Sequence, residues 1–338
     1  MTDPVASFER AFAEHVGADY AIALVNGTAT LHTALVALGV EPGDTVAVPP
    51  LTMSATTIAV LHAGADPVFC DVDPRTWLMD AISAARRGCA QIPVSLYGLS
   101  YPTVCRDPFG RALTIDDAAQ TLRRHDGRFA FTSYSFQASK ILALGEGGML
   151  VTNDEDLARR AREFSSLGYR MDPRQPRISK AALKHPGYQR HHSLGWNYRM
   201  SPLVAERGLA LMPHVELLKQ IRNQCADLYR AAIQDCTWLT PQHVPDGWQH
   251  DYWTFAVATD TRARCLWLLD AVERHGGERP YPAWRITFQE PAFRHLALDG
   301  TCPVAEDLQP RLVQLQTNNL TSAIRNARAL SRAIEEAG

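Results

Sequence analysis

The chain has no excess of positive charge. Its 338 residues hold 34 Lys and Arg against 36 Asp and Glu, a net charge of −2 with both signs interspersed. That leaves no basic patch for nucleic acid and no polybasic block for a membrane surface. No apolar run approaches the roughly 20 residues of a membrane span. The opening Met1-Thr2-Asp3-Pro4 shows neither a basic stretch nor an apolar one after it, so no signal peptide is expected. Cysteine is scarce in pattern rather than in number. The seven are Cys70, Cys89, Cys105, Cys225, Cys236, Cys265 and Cys302, without a Cys-x-x-Cys among them. The expectation is reduced thiols in a cytoplasmic protein, with no zinc or other metal site and no disulfide framework. Internal repeats and low-complexity tracts are absent too. Apolar residues, at 46%, suffice for one large domain and a smaller one.

The apolar pattern alternates between strand and helix types. Residues 4–16 read as an amphipathic helix with Phe8, Phe12 and Val16 spaced by four. Residues 19–25 form a buried-strand run, and Asn26-Gly27-Thr28 then opens a helical segment that stops at Gly39. Strand-like runs follow at 46–50, 66–73, 90–98 and 111–115, with a loop and helix expected over 51–64, and an aromatic-rich run of strand type opens at Phe131. Such alternation predicts a mostly parallel α/β sheet covered on both faces, with functional residues in the loops at the strand ends. A charged helix is expected over 154–167 and an exposed Arg-, Pro- and His-rich excursion over 168–193. A long helical pattern from Pro202 to about Ile233 should be bent or interrupted near Pro213. We expect a large domain over 1–240 and, after a linker at 241–247, a small one over 241–338. The small domain should hold a strand at 252–258 and helices near 262–275 and 319–336.

The densest chemistry lies in Phe131-Thr132-Ser133-Tyr134-Ser135-Phe136-Gln137-Ala138-Ser139-Lys140, followed by Gly145-Glu146-Gly147-Gly148. A lysine leaving a strand into a compact turn has two readings. It is a snorkelling surface charge, or a desolvated amine with a lowered pKa, suited to form a Schiff base. Gly27-Thr28 likewise reads either as an ordinary cap or as a helix N-terminus that holds a phosphate. Pyridoxal phosphate needs an amine, a carboxylate for its pyridine nitrogen, phosphate donors and something against its ring. Lys140, Asp117, Gly27-Thr28 and the Ser135 hydroxyl are the candidates.

The motifs, taken together and in order, resemble the DegT/DnrJ/EryC1/StrS family of pyridoxal-phosphate-dependent sugar aminotransferases. They are Asn26-Gly27-Thr28-Ala29-Thr30-Leu31-His32, Gly64-Ala65-Asp66-Pro67-Val68-Phe69-Cys70-Asp71-Val72-Asp73-Pro74 and Pro93-Val94-Ser95-Leu96-Tyr97-Gly98. Ile115-Asp116-Asp117-Ala118-Ala119-Gln120, the Ser135–Lys140 run, Gly145–Gly148 and Gly195-Trp196-Asn197-Tyr198-Arg199-Met200-Ser201 continue the match. Residues 289–293 and 302–308 fit more loosely. The resemblance implies aspartate-aminotransferase fold type I: a mostly parallel seven-stranded sheet with helices on both faces, plus a smaller C-terminal α+β domain.

It also implies roles. Lys140 carries the cofactor covalently and moves protons, and Asp117 pairs with the pyridine nitrogen. Gln120, one helical turn on, lies near the ring. Gly27, Thr28 and Ser135 bind phosphate, and Asn197 reaches it from the second subunit of a homodimer with shared active sites. Tyr198 and Arg199 flank that contact. His191, like His192, is either a substrate contact or a surface residue. Met53 replaces the aromatic that commonly stacks on the ring; a thioether packs on a π-face as well. The lead before Phe8 and residues 99–112 are short for the family, and Tyr281–Thr287 replaces a stretch around a histidine. The expected reaction moves an amino group from glutamate or glutamine to a nucleotide-linked keto-sugar. A cyclitol ketone acceptor, a sugar dehydratase and a non-catalytic sensing or scaffold relative are the alternatives. Dehydratase relatives carry histidine at the Lys140 position, so the lysine argues for transamination.

Overall fold

The computed structural model describes residues 3–80, 90–101, 113–174 and 177–337. Helix α1 (Pro4–Val16) is capped by the Asp3 carboxylate, which accepts the Val5 N–H at 3.0 Å, and it ends at a left-handed Gly17. Strand β1 (Tyr20–Leu24) passes through Asn26 into α2 (Gly27–Leu38). Then come β2 (Thr45–Val48), α3 (Ala55–His62), β3 (Asp66–Phe69), β4 (Ala90–Gln91), β5 (Ile115–Asp117), β6 (Phe131–Ser135) and β7 (Gly148–Thr152).

Two ladders, β1-β7-β6-β5 and β3-β2-β4, join into one sheet. The seam is made by Gln91 N–H to Leu113 O at 3.0 Å, Asp117 N–H to Pro93 O at 2.9 Å and Ser95 N–H to Asp117 O at 3.0 Å. Among the described residues the sheet therefore has seven strands, all parallel except β7, which runs against both neighbours. Alternation along each strand splits the interior into two cores. Ile22, Leu24, Phe131 and Leu150 face one side with Leu31 and Leu35 of α2. Ala21, Ala23, Tyr134, Met149 and Val151 face the other with Phe8 and Phe12 of α1. Helices cover both faces, as the sequence pattern predicts.

The expected strand over 90–98 shrinks to two residues. Pro93 has no N–H for the ladder, and the chain then turns through Leu96–Gly98 with Tyr97 at φ 61°. Strand β3 likewise stops at Phe69 rather than running on to Asp73. Residues 102–112, with Cys105 and most of the segment expected to be short, lie outside the described residues, as does Cys89. Cys225, Cys236 and Cys265 carry free thiols.

Helix α4 (Glu155–Ser165) packs on β1 and β7. Its Arg162 donates to both Glu9 carboxylate oxygens of α1, at 2.7 and 2.8 Å, in a buried pair that the Ala23 N–H completes at 2.7 Å. The described part of the exposed excursion carries a short helix, α5 (Lys180–Leu183). Helix α6 (Pro202–Leu211) is separated from α7 (Val215–Ile233) by a tight turn through Pro213, the expected break.

A second, antiparallel sheet orders β10-β11-β9-β8, from β8 (Leu239–Pro241), β9 (Thr254–Thr259), β10 (Tyr281–Pro282) and β11 (Leu312–Gln316). Helices α8 (Arg262–Arg274), α9 (Pro303–Leu308) and α10 (Leu320–Ala337) accompany it. Its core begins inside α7: Cys225, Tyr229 and Ile233 pack with Phe255, Val257, Leu269 and Leu330. Among the described residues no helix is long and apolar enough to cross a membrane, and no cluster of His, Cys, Asp and Glu could hold a metal ion.

Candidate active site

The C-terminal ends of β1, β2, β5 and β6 open onto one cavity of about 470 Å³. Gly27, Thr28, Met53, Asp117, Gln120, Ser135 and Lys140 all line it. Residues more than a hundred positions apart thus meet because parallel strands deliver their exits to the same edge.

At one end of the cavity stands the N-terminus of α2. The Asn26 carboxamide accepts the Ala29 N–H at 2.8 Å, and the Thr30 hydroxyl donates back to Gly27 O at 2.6 Å. The N–H groups of Gly27 and Thr28, in the helix's first turn, have no acceptor within the helix. A Cβ on Gly27 would lie 3.0 Å from the Ser135 Cβ and 3.3 Å from its Oγ. Glycine is therefore what lets the helix start sit against the serine. A Cβ on Gly148, at the start of β7, would lie 2.6 Å from Asn26 O, so Gly148 sets the helix start from below.

Asp117 is the last residue of β5, and its carboxylate is buried. Thr56 donates to Oδ2 at 2.8 Å and the Ala119 N–H to Oδ1 at 3.2 Å. Burial raises its pKa, while Thr56, Ala119 and the positive Lys140 oppose the rise. The preceding Asp116 points to the other face, where Ser95 and Arg123 hold it; burial still raises it to about 6. Strand alternation thus sends one carboxylate to the cavity and one to a structural ion pair. Gln120 does not lie one helical turn beyond Asp117. The chain leaves β5 in a turn closed by Thr121 N–H on Ala118 O at 3.1 Å, and no helix forms. The Asp117 carboxylate takes the Ala119 N–H and favours that turn. Gln120 still reaches the cavity and is buried, its Oε1 accepting the Tyr97 N–H at 2.5 Å.

Lys140 sits on a β-hairpin loop between β6 and β7. Backbone bonds from Leu144 N to Phe136 O (2.8 Å), Ala138 N to Gly145 O (3.0 Å) and Lys140 N to Gln137 O (2.8 Å) close it, and left-handed Gly145 turns it back. Burial lowers the Lys140 amine to about 8; Asp117 opposes this and Arg222 reinforces it. Lys140 lines the cavity at intermediate exposure, an arrangement that suits a desolvated amine. Met53 is half exposed at the cavity mouth, its Sδ accepting the Ala55 N–H at 3.0 Å.

Four expected residues stand elsewhere in the chain. Asn197 is exposed and pairs with Ser166. The Tyr198 hydroxyl bonds His32 Nδ1 at 3.1 Å, and its carbonyl accepts the Val25 N–H at 2.8 Å. Arg199 bridges to Leu24 and lines a separate hollow with Asp3 and Arg177. His191 is exposed, its Nδ1 2.8 Å from Leu167 O. None of the four lines the Lys140 cavity of its own chain.

Sequence reasoning missed Thr56, Trp253, Trp284 as a cavity wall, and Arg222. Arg222 carried a signal: it lies on the buried stripe Val215, Arg222, Cys225, Tyr229 of α7, where an arginine needs partners. A slightly larger hollow of about 520 Å³ lies around Arg75, Arg230 and His243, but holds no amine beside a carboxylate.

The residues present fit pyridoxal phosphate. A desolvated amine, a buried carboxylate, a glycine-built helix start and a hydroxyl line one cavity, as its aldehyde, pyridine nitrogen and phosphate require.

Comparison with known proteins agrees. Residues 2–326 match the DegT/DnrJ/EryC1/StrS aminotransferase family. The GDP-perosamine synthase of Caulobacter vibrioides is 33% identical over 318 residues, 87% of this chain and 80% of that protein. The UDP-N-acetyl-3-dehydro-alpha-D-glucosamine 3-aminotransferase of Acidithiobacillus ferrooxidans is 33% identical over 315 residues, 88% and 79% of the two chains. The crystal structure of DesV from S. venezuelae superposes with a TM-score of 0.84 at 25% identity, covering 99% of this chain and 90% of that one.

Proposed function

The chain belongs to the DegT/DnrJ/EryC1/StrS family and is a pyridoxal-phosphate-dependent sugar aminotransferase of fold type I; from that premise we propose that its acceptor is a nucleotide-linked keto-sugar and its donor glutamate or glutamine. The observation that carries the reading is Lys140 and Asp117 lining one cavity whose phosphate end is the start of α2. Two relatives whose names specify GDP- and UDP-linked sugars support the nucleotide-linked acceptor.

Bound pyridoxal phosphate supplies an aldehyde that takes an amino group and yields it again, and a ring that accepts electrons released at the reacting carbon. The chain's own groups do the rest. Gly27, Thr28 and Ser135 hold the phosphate, with the helix dipole favouring its charge. Asp117, fixed by Thr56, keeps the pyridine nitrogen protonated. Gln120 is bound through its carbonyl to Tyr97 and keeps its amide N–H groups for the ring's edge. Met53 covers the ring and, with Trp284, excludes water. Lys140, with an amine near 8, is part neutral at physiological pH, so it takes a proton from the donor α-carbon and returns one to the acceptor carbon.

We also read the protein as a homodimer in which Asn197 reaches the phosphate of the second copy's site, flanked by Tyr198 and Arg199, with His191 nearer the substrate. Leu194 is 97% exposed and Trp196 55% exposed in the single chain, apolar surface that a second copy would cover. The test is a panel of nucleotide-linked keto-sugars and cyclitol ketones with glutamate or glutamine, monitored for the amino product. Turnover of cyclitol ketones alone would overturn the acceptor class. Mixing Lys140→Ala with Asn197→Ala protein should restore activity through one intact site per mixed dimer; no restoration would overturn the shared site.

A further inference from the structure

Lys140 does not stand free in its cavity. Its Nζ lies 4.6 Å from the centre of the Trp253 indole, over the ring face. Trp253 comes from the other unit of the chain, immediately before β9, and is held from several sides. Its indole N–H donates to Ser139 O at 2.8 Å. Its own carbonyl accepts from Arg222 Nη1 at 2.7 Å and from the Thr317 hydroxyl at 3.0 Å. The second nitrogen of the same guanidinium reaches Ser139 O at 3.4 Å and Lys140 O at 3.3 Å. Ser139, Lys140, Arg222, Trp253 and Thr317 thus form a closed circuit in which one cation holds the backbones of Lys140 and Trp253, and the indole N–H closes the circuit on Ser139 O. From the turn after β4, a Cβ on Gly98 would lie 2.8 Å from the N atoms of both Tyr252 and Trp253. The segment carrying the indole has little room to shift.

We propose that Trp253 is a positioning residue for the reaction, its indole face being the seat of the Lys140 amine whenever that amine is not bonded to the cofactor. The inference rests on the pyridoxal-phosphate reading above. A transaminase lysine must be released while the amino group is carried and must return to the same atom for the second half of the cycle. A flexible four-carbon side chain loses that aim unless something holds its tip. An aromatic face does so by attracting the ammonium form, through its quadrupole, without forming a bond that must be broken.

The same seat sets the proton affinity of the free amine. The charged groups facing Lys140 are Asp117 from β5, Arg222 from α7, and Glu146 of the hairpin loop lining the same cavity. Burial and Arg222 push the amine down; Asp117 and the indole face hold it up. Removing the face while leaving the others lowers the amine's titration midpoint further.

The experiment uses full-length protein stripped of cofactor, with pyridoxal phosphate as probe. The rate of its capture, read from the visible absorbance of the lysine-bound form, is followed against pH. In the native chain the rate should rise through a midpoint near 8. Trp253→Phe keeps a π-face and should keep that midpoint, though it loses the bond to Ser139. Trp253→Leu should lower the midpoint by about half a unit or more. Its kcat should fall at least about tenfold with KM for the keto-sugar little changed, whereas the Phe variant recovers most of kcat. Melting curves of both variants confirm folding. Equal midpoints in all three proteins, or equal shifts in the Phe and Leu variants, overturn the proposal and leave the cofactor assignment standing. No capture by the native chain at any pH overturns both.

Discussion

The Thr56 hydroxyl donates to Asp117 Oδ2 at 2.8 Å, across 61 residues of sequence, from the first turn of α3 to the last residue of β5. Burial pushes the carboxyl toward its neutral form, and this bond is the first interaction that resists. Thr56→Val should therefore raise the Asp117 pKa further and weaken its grip on the pyridine nitrogen. A hydrogen bond to a charged group contributes about 1.5–3 kcal/mol, so cofactor affinity should fall by at least about tenfold. Asp117→Asn, which removes the charge itself, should cut kcat by about 10²–10⁴-fold. Equilibrium dialysis and steady-state kinetics measure the two effects; unchanged affinity in Thr56→Val would remove the carboxylate from the role assigned to it.

The Lys140 amine, held at about 8 rather than 10.5, carries a stability signature as well as a catalytic one. Between these two values the unfolded chain binds more protons at this residue than the folded one. Its contribution to stability therefore improves as pH rises through the window and is least favourable below 8, where both states are charged. Urea titrations of cofactor-free protein at pH 8 and pH 10, compared with Lys140→Met, isolate the term. The Met variant should lose that part of the slope and all transamination.

Glu9 and Arg162 form a bidentate buried pair that joins α1, β1 and α4. Arg162→Met leaves a carboxylate in the interior without its cation. A loss of about 3–5 kcal/mol is expected, seen as a fall in the denaturation midpoint. The double variant Glu9→Leu with Arg162→Met should recover part of it, because no lone charge remains. If both variants match the native chain, the pair is not holding the elements together.

Gly148→Ala tests the phosphate end of the site without touching a group that binds. The added Cβ would lie 2.6 Å from Asn26 O and 2.9 Å from Thr30 Cγ2, so the start of α2 must move. Cofactor affinity should fall by about tenfold or more while Asp117 and Lys140 keep their places. A Kd equal to that of the native chain would mean the helix start does not hold the phosphate.

Much of this was legible in the sequence, for a physical reason. The strands of the first sheet are buried on both faces, so Tyr20–Leu24 and Gly148–Thr152 read as continuous apolar runs. Their exits carry small or polar residues, so Gly27, Asp117, Ser135 and Lys140 stood out. Local rules failed where tertiary geometry decides. The helical spacing expected of Asp117 and Gln120 gave way to a turn capped by the carboxylate itself. Trp253 and Arg222 escaped notice because neither lies near Lys140 in sequence; only the packing of α7 and β9 against the hairpin loop brings them there. Asn197 belongs to a motif that was readable, yet its site contact would need a second chain.

In the first sheet β7, which runs against both of its neighbours, governs how the site is assembled during synthesis. Tyr20 pairs with Thr152, so β1 stays without its neighbour until β7 has left the ribosome, while β6 and β7 close over a short loop. The lysine hairpin can therefore form from local contacts early, and the phosphate end locks only when β1 docks onto it. The indole and Thr317 arrive last of all. A nascent chain that stops before residue 253 would carry the amine, the carboxylate and the phosphate donors assigned to the cofactor and lack the seat for its amine. The vulnerable interval is thus the time in which the reactive lysine is already built and not yet held.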